Sequence, residues 1–432
     1  MTSAIASLHG MTALRRFINE IVDGPFGSAL TSSHYADDGA RVIRLGNVGS
    51  SAFRDEDAAF ISLDYFGDLK RHEVKPGDLL IAGLGDENHP VGRACVAPEG
   101  ISPAIVKADC FRARLDESRL THRYAAWALS SSLVAQQVRT MVRGSTRPRI
   151  NLEVAREITI PAPSIEEQLR IADFLDAETA RIDRLGSLQQ NVLRKLDERE
   201  AAQLDSSIDE LVGRHGVVSL RRFLLGVDQG ISPQCEAVPA ADGEWGVLKV
   251  SCLRPGLFIP AENKRLPAEV EPELASEVRE GDLLIVRANT PQLVGSTAVV
   301  PRVRGKLLLS DKIFRVRLDG RLSADFVATV ARGRRIRALC AASSNGASQS
   351  MANIRFEEVK AWPIPVASLD VQADFVAWVS ESRAALDELR PRIERQLGLL
   401  SERRQALITA AVTGQFDVST ASGRNTTEGI SA

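Results

Sequence analysis

The chain has 432 residues, 44% of them hydrophobic and 25% charged, and a formal net charge of −2. It is too long for one ordinary domain and too apolar for a disordered chain. No apolar run approaches the roughly 18 residues of a membrane span, and the opening MTSAIASLHGMTALRRF lacks the charged-then-apolar pattern of a secretory signal, so a cytoplasmic protein is expected.

In chain order, each half begins with short strand-like runs punctuated by Gly and Pro: RVIRLGNV, GDLLIAGLG and VGRACVAPEG in the first. Helical material is predicted from about Thr121 to Met141. After Pro161 and Pro163, Ser164 with Glu166 and Glu167 makes a helix start. Apolar residues then recur at Ile171, Phe174, Leu175, Ile182, Leu185, Val192, Leu193 and Leu196, an amphipathic stripe on an otherwise charged rod. Gly186 in this helix and Pro391 in a later one predict a break in each.

The second half repeats the first. Leu14-Arg15-Arg16-Phe17 returns as Leu220-Arg221-Arg222-Phe223, and Gly77-Asp78-Leu79-Leu80-Ile81 as Gly281-Asp282-Leu283-Leu284-Ile285. Phe111 to Asp116 is answered by Phe314 to Asp319, and the helical stretch by one from Pro365 to Ala406. A period this long is a duplicated domain, since solenoid units run about 20 to 50 residues. The predicted fold is α/β plus α: two mixed α/β domains, each followed by a long helix.

Charge is segregated along this plan. Residues 1–150 carry 18 basic and 17 acidic side chains and residues 214–356 carry 21 and 14, whereas 151–213 carry 7 and 14 and 357–432 carry 8 and 11. The globular parts are the ones suited to face a polyanion, although acidic solvated helix faces explain the other half equally well.

Catalytic motifs do not occur. The chain lacks a GxxxxGK[ST] loop, HExxH, GxSxG, a dinucleotide fingerprint and an Asn-Pro-Pro-aromatic motif. The glycine-rich Asp23-Gly24-Pro25-Phe26-Gly27-Ser28 has no lysine or helix behind it, and reads as a rigid turn. Cys95, Cys110, Cys235, Cys252 and Cys340 are odd in number and never form CxxC, so buried thiols are expected rather than disulfides or a zinc site. No metal site is expected.

Binding chemistry is richer. VRTMVRGSTRPRINL carries Arg139, Arg143, Arg147 and Arg149 with no acid, and the second half has Arg332, Arg334, Arg335, Arg337 and Arg355 between Val327 and Phe356, again with no acid. Guanidinium forks beside neutral donors suit phosphate contact, while a solvated helix end is the alternative. The loops after the two GDLLI strands, GLGDENHPVG with Asn88 and His89 and RANTPQLVG with Arg287, Asn289, Thr290 and Gln292, offer paired donors and acceptors of the kind that read base edges. They differ where their flanking strands agree, as two reading surfaces on one scaffold would, and as unconstrained loops also would.

Taken together, these residues resemble the specificity (S) subunits of type I restriction-modification systems, from about Leu14 to Phe416. The resemblance rests on DGPFGS, on GDLLI followed by Val91-Gly92 and Val294-Gly295, on the Ile-x-Pro to Gln-helix passages at Ile160–Gln168 and Ile364–Gln372, and on SERRQALITAAVTGQFDV. The chain departs from the family at Val371, where Glu usually precedes Gln, and at Thr146-Arg147-Pro148, where a Gln-rich turn is commoner. The resemblance implies target recognition domains at 1–160 and 214–364 and helical spacers at 161–213 and 365–418, followed by a tail at 419–432 whose composition predicts disorder. It implies an antiparallel coiled coil with pseudo-two-fold symmetry, which serves as a spacer and as the platform for two methyltransferase (M) subunits. Ile171, Leu175, Ile182, Leu386, Leu389 and Ile393 are the candidate partner-binding positions. It further implies a non-catalytic reader of double-stranded DNA with a split target, no cofactor of its own, S-adenosylmethionine on the M subunits and ATP on motor-nuclease (R) subunits. The rival classes are a degenerate methyltransferase-nuclease fusion and a structural coiled-coil scaffold. Ser187 to Leu211 is 25 residues, a helix of about 37 Å, which suggests half-sites about one DNA turn, roughly 34 to 36 Å, apart.

Overall fold

The structure is a computed structural model that describes residues 8–86, 88–142, 147–343, 352–415 and 417–418. Arg143, Ser145, Thr146, Ser348 and Gln349 lie outside the described residues, as does the 419–432 tail. The chain divides into two compact units, the first made of residues 1–189 and 394–432, the second of residues 190–393.

In the first unit the repeated strands form an antiparallel sheet in the order Ile18–Asp23, Cys110–Leu115, Leu79–Ala82, Ala94–Val96. Phe111 sits opposite Ile81 and Arg112 opposite Leu80. Leu79, Leu80, Ile81 and Ala82 are all fully buried, because helices cover one face and a second, five-stranded sheet packs toward the other. A short pair, Met11–Ala13 with Thr159–Pro161, brings the start of the unit to the entry of its long helix.

The second unit repeats the main sheet in the same order: Leu224–Gln229, Ile313–Leu318, Leu283–Val286, Thr297–Val299. Its second sheet is smaller, Asn263–Arg265, Gly246–Leu248 and Leu307–Leu308. Val217–Ser219 pairs with Pro363–Pro365 as the counterpart of the entry pair in the first unit.

The helical material expected between Thr121 and Met141 is present as two helices, His122–Leu129 and Ser132–Met141, because the Ser131 hydroxyl caps a new start by accepting from the Val134 amide. The long helices need a correction, since neither breaks: Ile165–His215 and Leu369–Thr413 run unbroken through Gly186 and Pro391. A lone glycine costs only about 1 kcal/mol in a helix. The proline costs about 3 kcal/mol, and the turns on both sides of it are anchored: Arg390 to Asp197 at 2.7 Å in the second unit, Gln396 to Gln189 at 3.0 Å in the first. In the first unit the Arg404 guanidinium also donates to Asp183 at 3.1 Å, so the two helical segments there run antiparallel.

The entry of each long helix is tied to its own globular part by a fully buried glutamine. Gln168 accepts from the Thr121 amide and donates to the Arg119 and Pro163 carbonyls, while Gln372 accepts from the Ser323 amide and donates to the Arg321 and Ala367 carbonyls. Glutamine supplies one acceptor and two donors, and here all are used.

Candidate functional site

Two stretches some sixty residues apart in sequence come together in each unit. In the first, the Gly85 amide donates to the Pro148 carbonyl at 3.0 Å, the Ile150 amide donates to the Gly83 carbonyl at 2.9 Å, and Leu84 bridges to Arg149. In the second, Ala288–Asn289 pairs with Ala352–Asn353, and the Ile354 amide donates to the Arg287 carbonyl at 2.9 Å. The loop after each GDLLI strand therefore lies against the chain segment that follows the helix carrying the arginine-rich stretch.

In the first unit Arg139 and Arg147 are exposed. Arg149 donates to Asp109 at 2.6 Å and its guanidinium lies 5.5 Å from the centre of the exposed Phe26 ring. Asp23 organises the DGPFGS turn: its carboxylate accepts from the Gly24 amide at 2.7 Å and the Asp109 amide at 2.9 Å. Any side chain at Gly24 would place its Cβ 2.0 Å from the Lys107 carbonyl carbon, so the turn requires glycine. Burial pushes the Asp23 carboxyl up to about 6, against the pull of those two amides.

The loop itself is compact. Asp86 accepts from the Asn88 and His89 amides, each at 2.8 Å, and from the His89 ring at 3.0 Å, leaving the Asn88 side chain exposed and His89 half-buried. The residue that holds it was not predicted from sequence. Arg93, only 6% exposed, donates to the carbonyls of Val48, Leu45, Leu84, His89 and Pro90. Its motif VGRACV looks like a plain strand, and nothing in the pattern marks the arginine as inward-facing.

In the second unit the candidates separate. Asn289 and Arg287 are half-buried and Thr290 and Gln292 exposed, with the Asn289 side-chain Oδ1 accepting from the Thr290 amide at 2.8 Å. Arg337 is not placed for phosphate: it donates to the Val294 and Gln292 carbonyls at 2.8 and 2.6 Å, bracing the loop from the helix Arg334–Ser343. This corrects the expectation from sequence, and burial holds its guanidinium below the usual range. Arg334 turns toward the first long helix, its amide donating to Asp205 at 2.7 Å, while Arg335 is exposed.

The candidate partner positions also divide. Ile171, Leu175 and Ile182 are buried in the first unit's own core with Leu407, Ile408 and Val412. Their stripe is consumed internally, which corrects the reading of them as contacts for another protein. Leu389 is 44% exposed and Leu386 and Ile393 are half-buried.

Cys95, Cys110, Cys252 and Cys340 are buried as expected, but Cys235 is half-buried. Among the described residues there is no cluster able to hold a metal ion, and no helix long and apolar enough to cross a membrane.

A mixed α/β module carried on a long helix and present twice, with a loop and a neighbouring strand edge meeting in each copy, defines a class of tandem recognition scaffold. Residues 28–193 match the family model for the type I restriction modification DNA specificity domain. The chain is similar to the type I restriction enzyme EcoEI specificity subunit of Escherichia coli, 29% identical over 192 residues, or 44% of this chain and 32% of that one. The matched part thus spans about a third of that relative's length. It is also similar to the StySPI specificity subunit of Salmonella potsdam, 21% identical over 89% of this chain and 84% of that one. A solved chain described under the structural basis of complex assembly and conformational transition of the type I R-M system shares the fold, with TM-score 0.66 and 14% identity, covering 96% of this chain and 100% of that chain. Residues 28–193 thus match the DNA specificity domain of type I restriction-modification systems, and the chain is similar to specificity subunits of those systems.

Proposed function

We propose that this chain is the sequence-reading, non-catalytic subunit of a type I restriction-modification complex. Each α/β module reads one half of a bipartite double-stranded DNA target, and methylation of adenine and restriction are carried out by M and R subunits that bind S-adenosylmethionine and ATP. The observation that carries this reading is the twofold meeting of a loop and an adjoining strand edge, with the same backbone pairing but different side chains: Asn88, His89 and Arg149 in one copy, Asn289, Gln292 and Asn353 in the other. A shared frame with unlike polar groups is what two different half-sites require. The exposed Leu185, Leu188, Val192, Trp378 and Leu389 on the long helices supply apolar surface for M subunits, and the helical segments act together as an antiparallel coiled coil.

The test is a map of methylated adenines in cells carrying the chain together with an M subunit, against cells lacking the chain. A motif of two short, unlike half-sites separated by unspecified bases is expected, and it should vanish with the chain. A single continuous motif, or methylation that persists without the chain, overturns the proposal.

A further inference from the structure

Beside the second unit's smaller sheet lies a cleft of about 560 Å³, within the roughly 300 to 1,000 Å³ of sites that hold small groups. Ser310 lines it. This serine is 5% exposed, yet its Oγ has no hydrogen-bond partner among the described residues. Native proteins rarely leave a buried hydroxyl unpaired, and this one belongs to a residue of the cleft wall, where rotation about χ1 can turn it to a partner from outside.

The surrounding charge says which. Lys249, Lys264 and Lys312 line the same cleft. Lys249 is paired with Glu262 at 2.7 Å, whereas Lys264 and Lys312 are exposed and form no ion pair with the described residues. Two other hydroxyls on the wall are already committed, Ser232 to Asp311 and Ser251 to Glu262. Lys249 neutralises Glu262, while Asp311 stays anionic under its hydrogen bond from Ser232 and offsets one of Lys264 and Lys312, so the cleft keeps an excess of one ammonium group and one unpaired hydroxyl donor. That set fits a phosphate oxyanion, which takes point charges from lysine and a hydrogen bond from a neutral donor.

Resting on the DNA-reading function proposed above, we infer that this cleft seats a backbone phosphodiester of the target, with Ser310 Oγ as donor and Lys264 and Lys312 as countercharges. The seat is particular to the second unit. In the first unit the segment corresponding to Ser310–Lys312 is Lys107–Asp109, so a lysine stands where the second unit has the unpaired serine and an aspartate where it has Lys312. The two modules then meet the duplex at this place with different side chains.

The test uses the full chain co-purified with its M subunit and random-sequence duplex DNA, with binding measured across a salt series. Ser310→Ala and the double variant K264Q/K312Q are compared with Lys195→Gln, which removes a charge from the exposed face of the long helix. K264Q/K312Q should flatten the log–log salt slope by about one unit for each phosphate no longer neutralised, and Lys195→Gln should leave it unchanged. Ser310→Ala should weaken binding by roughly three- to tenfold while melting no lower than wild type, since it deletes an unpaired group. Equal slopes for all variants, with wild type still binding, overturn the seat but leave the DNA-reading function standing. Failure of wild type to bind DNA overturns both. In a parallel arm, inorganic phosphate that raises the melting temperature of wild type but not of Ser310→Ala, with unaltered DNA slopes, would show a free-phosphate site and overturn the assignment to DNA.

Discussion

The side-chain oxygen of Gln168 accepts the Thr121 backbone amide at 3.0 Å, joining the first turn of a long helix to the cap of a helix in the globular part. Thr121 in turn accepts from the Tyr124 amide. Replacing Gln168 with Ala orphans one buried amide and two carbonyls, at about 1 to 3 kcal/mol for each group left unsatisfied. We expect a loss of about 3 kcal/mol in denaturant unfolding, at the low end of that range for the three groups together. Gln372→Ala should do the same through Ser323, and if the two units melt separately each substitution should shift one transition only.

Asp23 gives the first unit a pH-dependent stability. Its folded-state carboxyl is raised from 3.8 to about 6, so the stabilising protonated form is fully present below about pH 4 and its contribution is lost as pH rises through 6. The shift corresponds to about 3 kcal/mol at 1.36 kcal/mol per unit. Because the group is only half-buried, solvent screening reduces the expected effect to about 1 kcal/mol. Asp23→Asn keeps an oxygen for the Gly24 and Asp109 amides, and should raise the unfolding free energy at pH 8 but not at pH 4. Equal effects at both values would show that the charge is not the cause.

Arg93 holds a loop by carbonyls alone. Arg93→Lys keeps the charge and loses the fork, so the loop from Leu84 to Pro90 should loosen while the sheet behind it stays closed. Hydrogen exchange at the Gly85 and Gly92 amides, which donate to Pro148 and Ala82, should speed by about tenfold for each ~1.4 kcal/mol of local stability lost. Exchange at Leu80, in the strand core, should not change.

Arginine and amide positions should separate in DNA binding. Arg147→Ala is expected to weaken binding to every sequence and flatten the salt slope by about one unit, and Gln292→Ala to relax one base position at about 1 to 3 kcal/mol of lost discrimination. Site selection from a random pool, at two salt concentrations, distinguishes the two effects.

Thiol reactivity should be confined to one position. Burial pushes Cys95 and Cys252 up to about 12 and Cys340 to about 11, and Cys110 upward as well, whereas Cys235 is half-buried. A disulfide reagent at pH 8 should titrate one thiol rapidly, and Cys235→Ser should abolish that phase.

The repeat, the strand identities and the helix starts were legible because they are carried by local periodicity and by caps such as Ser164, whose hydroxyl accepts from the Glu167 amide at 3.3 Å. The continuity of the long helices was not, since Pro391 and Gly186 are read from intrinsic cost while the outcome is set by anchoring to distant residues. The sites divide the same way. Clusters such as Arg147 and Arg149 stand out by composition, but whether a guanidinium faces solvent or a carbonyl depends on tertiary neighbours, as Arg337 and Arg93 show. The burial of Ile171, Leu175 and Ile182 was hidden for the same reason: an amphipathic stripe reveals that it will be covered, not by what.

The first unit is assembled from both ends of the sequence: Leu407, Ile408, Ala411 and Val412 complete the core around Ile171 and Leu175, and the Leu8 amide donates to the Thr413 carbonyl at 2.8 Å. On the ribosome this inverts the order of maturation. Residues 190–393 hold the whole of the second unit and can close as soon as they emerge, whereas the earlier-made module waits for the last-made helix turns. At the usual rate of about 5 to 20 residues per second, that wait is roughly 10 to 45 s. During it the uncovered face around Tyr124 and Leu175 is open to chaperones, and a chain that stops short of the final helix turns leaves its first module permanently unfinished.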